Sequence, residues 1–297
     1  MTLFKGSGVA IVTPFDNAGK IDYDVFSDLI LFHLENATDA IIVCGTTGEA
    51  STLTDEEQIA CIKFVVEKVA GKLPVIAGAG SNNTQHGIDL AVACKKVGVD
   101  GLLIATPYYN KTTQKGLIEH YNAIAIAVGD LPIIVYNVPS RTGLNIKPAT
   151  VYELSKISNI IGIKEAGGDI SQVAEIAALC GPDFDIYSGN DDQILPLLSL
   201  GGKGVISVAA NILPRQVHDL CCKFFDGDLK GSLKIQLDML SLINTLFIEV
   251  NPIPIKAAME LIGYSVGRGR MPLTTMEEQH SLKLKEEMIK YGINIIK

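Results

Sequence analysis

Lys164 closes the apolar run Ile160-Ile161-Gly162-Ile163, and glycines follow it at positions 167 and 168. A run of this length bounded by turn residues reads as a strand buried on both faces, the kind found in parallel sheets. Burial disfavours the charged form of an amine, and a neutral lysine amine is a nucleophile that forms imines with ketones. Imine chemistry makes further demands. The carbinolamine must lose water and an α-proton must leave, so a proton donor and acceptor has to stand near the nitrogen. Tyr136, at the end of another apolar run, offers a phenol, and Thr46, in Gly45-Thr46-Thr47-Gly48-Glu49, offers a hydroxyl that can relay its proton. The glycines around Thr46 also expose backbone amides able to hold a carboxylate. Gly162 shares the parity of Lys164, which predicts that it leaves room beneath the lysine. Each feature has a plainer reading beside this one. A lysine leaving a sheet can snorkel into water, a tyrosine at a strand end can simply pack, Gly-Thr-Thr-Gly is an ordinary tight turn, and Arg141 alone is an ordinary surface charge. It is the combination that points to imine chemistry.

The elements that must bring these groups together are visible as eight β-branched runs, starting at residues 8, 40, 74, 101, 132, 160, 185 and 204. Their spacing is that of one strand, loop, helix and loop. Between them lie helical patterns: Ile59, Ile62, Val66 and Val69 share one face, as do Leu117, Tyr121, Ile124 and Val128. Thr54 and Glu57 form a capping box at the start of the first of these. Eight such units with right-handed crossovers predict a (β/α)8 TIM barrel over residues 1–224. The competing fold, an open doubly wound sheet, would carry a glycine-rich dinucleotide turn, and Gly78-Ala79-Gly80 lacks the third glycine. From residue 225 to 297 the strand signal gives way to a C-terminal helical region. There Leu229, Leu233, Leu237, Leu240 and Phe247 recur at helical spacing, Pro252 and Pro254 interrupt the pattern, and residues 276–290 read as a last amphipathic helix. This region could cover the barrel or make subunit contacts.

In a barrel, the groups that end each strand share one face. That rule gathers Thr46, Thr47, Tyr108, Tyr109, Tyr136, Lys164, Gly189 and Ser207.

Composition removes several other function classes. A chain 47% hydrophobic and 20% charged is globular, and a net charge of -8 with 25 scattered basic residues argues against a nucleic-acid binder. Arg268-Gly269-Arg270 reads as a solvated turn. No apolar run approaches a bilayer span and the N-terminus has no apolar signal core, so the expected location is cytoplasmic, with no membrane partner. The six cysteines lack CxxC spacing and read as reduced core residues. The five histidines lie apart from one another, and no metal site is expected.

The motifs GTTGEASTL (45–53), YYN (108–110), YNVPSRTG (136–143) and GIKEAGGD (162–169), with PIPIKAAME at 252–260, closely resemble those of the dihydrodipicolinate synthase family along essentially the whole chain. The resemblance implies a class I aldolase-type lyase that condenses pyruvate with aspartate 4-semialdehyde in diaminopimelate and lysine biosynthesis. It implies no cofactor beyond the covalent imine on Lys164. Tyr136 would then be the proton donor and acceptor, with Thr46 and Tyr109 completing a relay, and Tyr109 would come from the neighbouring subunit of a homotetramer built from two tight dimers. Thr47 and Ile206 match pyruvate-binding positions, and Gly189 a position beside the site. Arg141 matches the residue that grips the semialdehyde carboxylate. N-acetylneuraminate lyase and the 2-keto-3-deoxy sugar acid aldolases share the lysine and the tyrosine, and a guanidinium fork suits a carboxylate better than a neutral polyol. Two readings from other classes stand beside it: a nicotinamide-dependent oxidoreductase, which the missing glycine fingerprint disfavours, and a catalytically inactive binding barrel, against which the intact set of four weighs. Asn82 and Tyr108 match the effector pocket of lysine-inhibited members, but His86 stands where an acid is expected, which predicts insensitivity to lysine.

Overall fold

The computed structural model describes residues 2–296, leaving Met1 and Lys297, the outer ends of the two predicted segments, outside the described residues. Eight parallel strands close into a barrel in sequence order: β1 (Gly6–Ala10), β2 (Ala40–Val43), β3 (Val75–Gly78), β4 (Gly101–Ala105), β5 (Ile133–Asn137), β6 (Ile160–Glu165), β7 (Asp185–Ser188) and β8 (Gly204–Ser207). β8 returns to β1 with Gly8 opposite Ile206, so the open-sheet alternative is excluded.

Alternation along each strand sorts its side chains between two cores. On β2, Ala40 and Ile42 point into the lumen, and Ile41 and Val43 point outward to the helices. The lumen is filled by Phe4, Ile42, Ile76, Leu103, Ile134, Tyr187 and Ile206. Phe4 stacks on Tyr187 at 4.4 Å and accepts a 2.7 Å hydrogen bond from its hydroxyl, which closes the amino end of the barrel. Lys164 and Tyr136 occupy lumen-facing positions at the other end.

Helices α1 (Tyr23–Glu35), α2 (Asp55–Val69), α3 (Thr84–Lys96), α4 (Gln114–Val128), α5 (Pro139–Thr142), α6 (Pro148–Ser155), α7 (Ile170–Cys180), α8 (Ile194–Ser199) and α9 (Pro214–Phe225) complete the units. The Thr54–Glu57 capping box opens α2, and Leu117, Tyr121, Ile124 and Val128 form the buried face of α4, as their spacing predicts. On α2, Ile62 and Val69 are buried and Ile59 and Val66 pack partly buried against the same core, beside Cys61, Val65 and Gln58, which turns inward to donate to the Gly78 carbonyl at 2.8 Å. The C-terminal elements are α10 (Leu229–Thr245), α11 (Ile253–Leu261) and α12 (Glu278–Tyr291).

Helix α10 keeps the predicted helical period, with Leu229, Leu233 and Leu237 exposed along it. The buried face carries Ser232, Gln236, Met239, Leu242 and Ile243. Gln236 lies inward because it bonds the Leu195 amide and the Asp191 carbonyl, and Ser232 because it donates to the Leu220 carbonyl. Arg270 is not a solvated charge. Its guanidinium forks onto both oxygens of Glu57 at 2.6 Å and lies over the Phe15 ring. Of the six free cysteines, Cys180 and Cys222 are only half-buried.

Candidate active site

Parallel register sets the centre of the site. Tyr136 on β5 lies directly opposite Lys164 on β6, and Lys164 lies opposite Tyr187 on β7. Lys164 is 6% exposed, and its Nζ sits 4.3 Å from the centroid of the Tyr136 ring, a cation–π contact in a desolvated setting. Both line a cavity of about 190 Å3 at the carboxyl end of the barrel, together with Thr46, Thr47, Arg141 and Gly189.

Two glycines make the lysine's position possible, one of them in an unexpected way. A Cβ on Gly189 would stand 2.5 Å from Ala166 Cβ and 3.1 Å from Lys164 Cε, so glycine here gives the lysine stem its passage. Gly162 does not open space beneath the lysine as its parity suggests. A Cβ there would meet the Asp185 carbonyl oxygen at 2.4 Å, so its role is the close approach of β6 to β7.

The strand ends are held from the outer side. Glu165, next to the lysine, accepts from Asn137 Nδ2 at 3.0 and 2.9 Å, from the Gly167 amide at 2.7 Å and from Gln172 Nε2 at 3.1 Å. Burial pushes its carboxyl above the usual range, and the donors from Asn137, Gly167 and Gln172 pull the other way. Asp191 is buried close by, with Oδ2 accepting from the Val208 and Ala209 amides at 3.0 and 2.9 Å. Burial raises its carboxyl too, against the Ser207 hydroxyl, the two amides and the charge of Lys164.

The loop carrying Thr46 and Thr47 is anchored by Glu49, whose left-handed backbone (φ 57°) turns its carboxylate inward. Glu49 pairs with Lys256 of α11 at 2.6 Å and accepts from the Arg270 amide at 2.9 Å. Burial lowers the Lys256 ammonium below its usual range, with Glu49 opposing. The C-terminal region thus braces the site, and it also enters it. Asn251 donates from Nδ2 to Thr47 Oγ1 at 3.0 Å, and its carbonyl accepts from Arg141 Nη2 at 3.0 Å. Asn251 was missed in the sequence, where the only signal was its place just before the proline-interrupted segment; Ser140, Asn190, Val208 and Phe247 join it on the cavity wall.

Four predicted residues, Tyr108, Tyr109, Ile206 and Ser207, stand outside the cavity wall. Ile206 is fully buried in the lumen core, and Val208, two residues on, lines the cavity. Tyr109 is 91% exposed, in a left-handed conformation (φ 66°), and does not line its own chain's cavity. His86 lies between Ser81 Oγ (2.9 Å) and the Asp55 carboxylate (2.9 Å), so an acid does stand in that region, supplied by α2. Among the described residues, Glu249, Glu277 and His280 converge as potential metal ligands, but Glu249 Oε1 already accepts from His280 Nδ1 at 2.8 Å and from the Glu277 amide.

Fold and cavity together define a (β/α)8 barrel with a buried amine and a phenol paired at the carboxyl end of its strands. Residues 3–290 match the model of the dihydrodipicolinate synthetase family, and the chain belongs to that family. It is 60% identical over 295 residues to a 4-hydroxy-tetrahydrodipicolinate synthase of Caldicellulosiruptor saccharolyticus, covering 99% of both chains. The crystal structure of dihydrodipicolinate synthase from Aquifex aeolicus superposes with a TM-score of 0.96 at 44% identity, covering 99% of this chain and 100% of that one. A monomeric dihydrodipicolinate synthase variant gives 0.96 at 42% identity, covering 98% of each. Among the described residues, no helix is long and apolar enough to cross a membrane.

Proposed function

We propose that this chain condenses pyruvate with L-aspartate 4-semialdehyde through an imine on Lys164, giving 4-hydroxy-tetrahydrodipicolinate for diaminopimelate and lysine synthesis. The observation that carries the reading is the Tyr136–Lys164 pair facing one cavity rimmed by Arg141. Lys164 Nζ attacks the ketone carbon of pyruvate, and the carbinolamine loses water to leave an iminium. Loss of a methyl proton gives the enamine. Tyr136 supplies and takes these protons, passing them through Thr46, with Tyr109 of a neighbouring subunit completing the relay. Thr47 and the amides of its loop hold the pyruvate carboxylate, beside Gly189 and above Ile206. The enamine carbon then bonds to the aldehyde carbon of the semialdehyde, whose carboxylate is forked by Arg141. The substrate amine replaces Lys164 on the imine carbon, which closes the ring and frees the lysine. The iminium is itself the electron sink, so the reaction requires no further cofactor. The exposed Tyr109 suits assembly as a homotetramer of tight dimers.

Borohydride reduction with pyruvate, followed by intact mass, tests the first half: wild type should gain a reduced pyruvyl adduct and Lys164→Ala none. Turnover with aspartate semialdehyde that collapses in Arg141→Ala tests the second. An adduct without that turnover would move the chain to the sugar-acid aldolases. The absence of any adduct would make Lys164 structural.

A further inference from the structure

At the amino end of the barrel, opposite the cavity, three side chains form a relay that the reaction above does not use. His218 and Cys222 lie four residues apart on α9 and so share a face. Cys222 Sγ is 3.2 Å from His218 Nε2, and His218 Nδ1 is 2.9 Å from Asp39 Oδ2. Asp39 precedes β2, and its carboxylate is itself positioned: the same oxygen accepts from the Ser7 amide at 2.7 Å. Gly6 makes space for it, since a Cβ at that position would fall 2.2 Å from Oδ2. A carboxylate only accepts, so Nδ1 carries a proton, and in the neutral ring Nε2 is left as the acceptor for the thiol. The order is nucleophile, base and orienting acid.

We infer that Cys222 is a modification site of this protein, a thiol activated by His218 and Asp39 for exchange with low-molecular-weight disulfides. In the step, the Cys222 proton passes to His218 Nε2 as sulfur attacks one sulfur of the disulfide. A new sulfur–sulfur bond forms, the old one breaks, and the departing thiolate takes the proton from the imidazole. The added disulfide is the oxidant, and one of its halves leaves reduced. The surroundings favour activation by a base at the moment of attack over a standing thiolate: burial, aided by the carboxylates of Asp39, Asp226 and Asp219, pushes the thiol up, with Lys5 opposing. Cys44, Cys61, Cys94 and Cys221 are buried, and half-buried Cys180, beside the Ser155 hydroxyl and not an imidazole, serves as an internal comparison.

The test uses an aryl disulfide that releases a coloured thiolate, with the intact protein near neutral pH and the modified residue mapped by mass. Cys222 should react about a hundredfold faster than Cys180, the lower end of what a positioned base contributes. The fast phase should vanish in Cys222→Ser and fall to the Cys180 rate in His218→Gln, while turnover in Cys222→Ser stays at the wild-type level. Equal rates for Cys222 and Cys180, or a fast phase that persists in His218→Gln, would overturn the assignment. Should that variant not fold, the wild-type comparison of Cys222 with Cys180 decides alone.

Discussion

Tyr136 and Lys164 are direct register partners on β5 and β6, and Nζ of one lies 4.3 Å from the ring centre of the other. The ring therefore has two separable contributions, a π face that positions the lysine and a hydroxyl that moves protons. Tyr136→Phe keeps the first and removes the second. Its kcat should fall by about 10²- to 10⁴-fold, while the borohydride-trapped adduct still accumulates on long incubation. Rapid-mixing measurement of imine formation, compared with Tyr136→Ala, separates the two contributions.

Gly189→Ala should slow imine formation through crowding alone. Its Cβ would press on Ala166 Cβ at 2.5 Å and on Lys164 Cε at 3.1 Å, and overpacking of this kind costs about 1–3 kcal/mol. A thermal midpoint lowered by several degrees, with a reduced adduct yield at early times, is the expected pair of readings.

Asn251→Ala removes the donor to Thr47 Oγ1 and loosens the carbonyl that receives Arg141. A neutral hydrogen bond contributes about 0.5–1.5 kcal/mol, so KM for pyruvate should rise roughly two- to tenfold. Steady-state kinetics at saturating semialdehyde reads this directly. An unchanged KM for both substrates would show that the cavity wall does not depend on the C-terminal segment.

His33 links stability to acid. It is fully buried, and burial pushes its imidazole down to about 3. Between an unfolded value near 6.5 and that native value, the unfolded chain binds a proton that the native chain does not. Stability is therefore lost as pH falls from about 6.5 towards 3, by up to about 1.4 kcal/mol per pH unit. Denaturant melts of wild type and His33→Leu at pH 7 and pH 5 should show a smaller acid loss in the variant, whatever its starting stability.

Millimolar L-lysine should leave turnover unchanged, because His86, and not an acid, occupies the expected position on α3. The contact with Asp55 gives this test its alternative outcome. If turnover drops, and Asp55→Asn restores it, the carboxylate 2.9 Å from His86 Nε2 replaces the missing acid across the helix boundary.

The sequence by itself determined the parts whose signals are local. Eight β-branched runs at regular spacing, the α4 face of Leu117, Tyr121, Ile124 and Val128, the Thr54 cap and the placement of Thr46, Tyr136 and Lys164 at strand ends all follow from periodicity and turn chemistry within a few residues. Only the tertiary structure decided the relationships that depend on how closely and in what register distant segments meet. Gly162 looked like space for a lysine and proved to be space for the Asp185 carbonyl, because strand separation is not written in parity. The leucines of α10 kept their helical period but turned outward, since the inward face is claimed by Gln236 and Ser232, whose partners lie on other elements. Asn251 reaches Thr47 across 204 residues, and Cys222 reaches Asp39 through His218. A hydrogen bond of that span depends on the closed barrel bringing both partners to one end, and no local pattern encodes it.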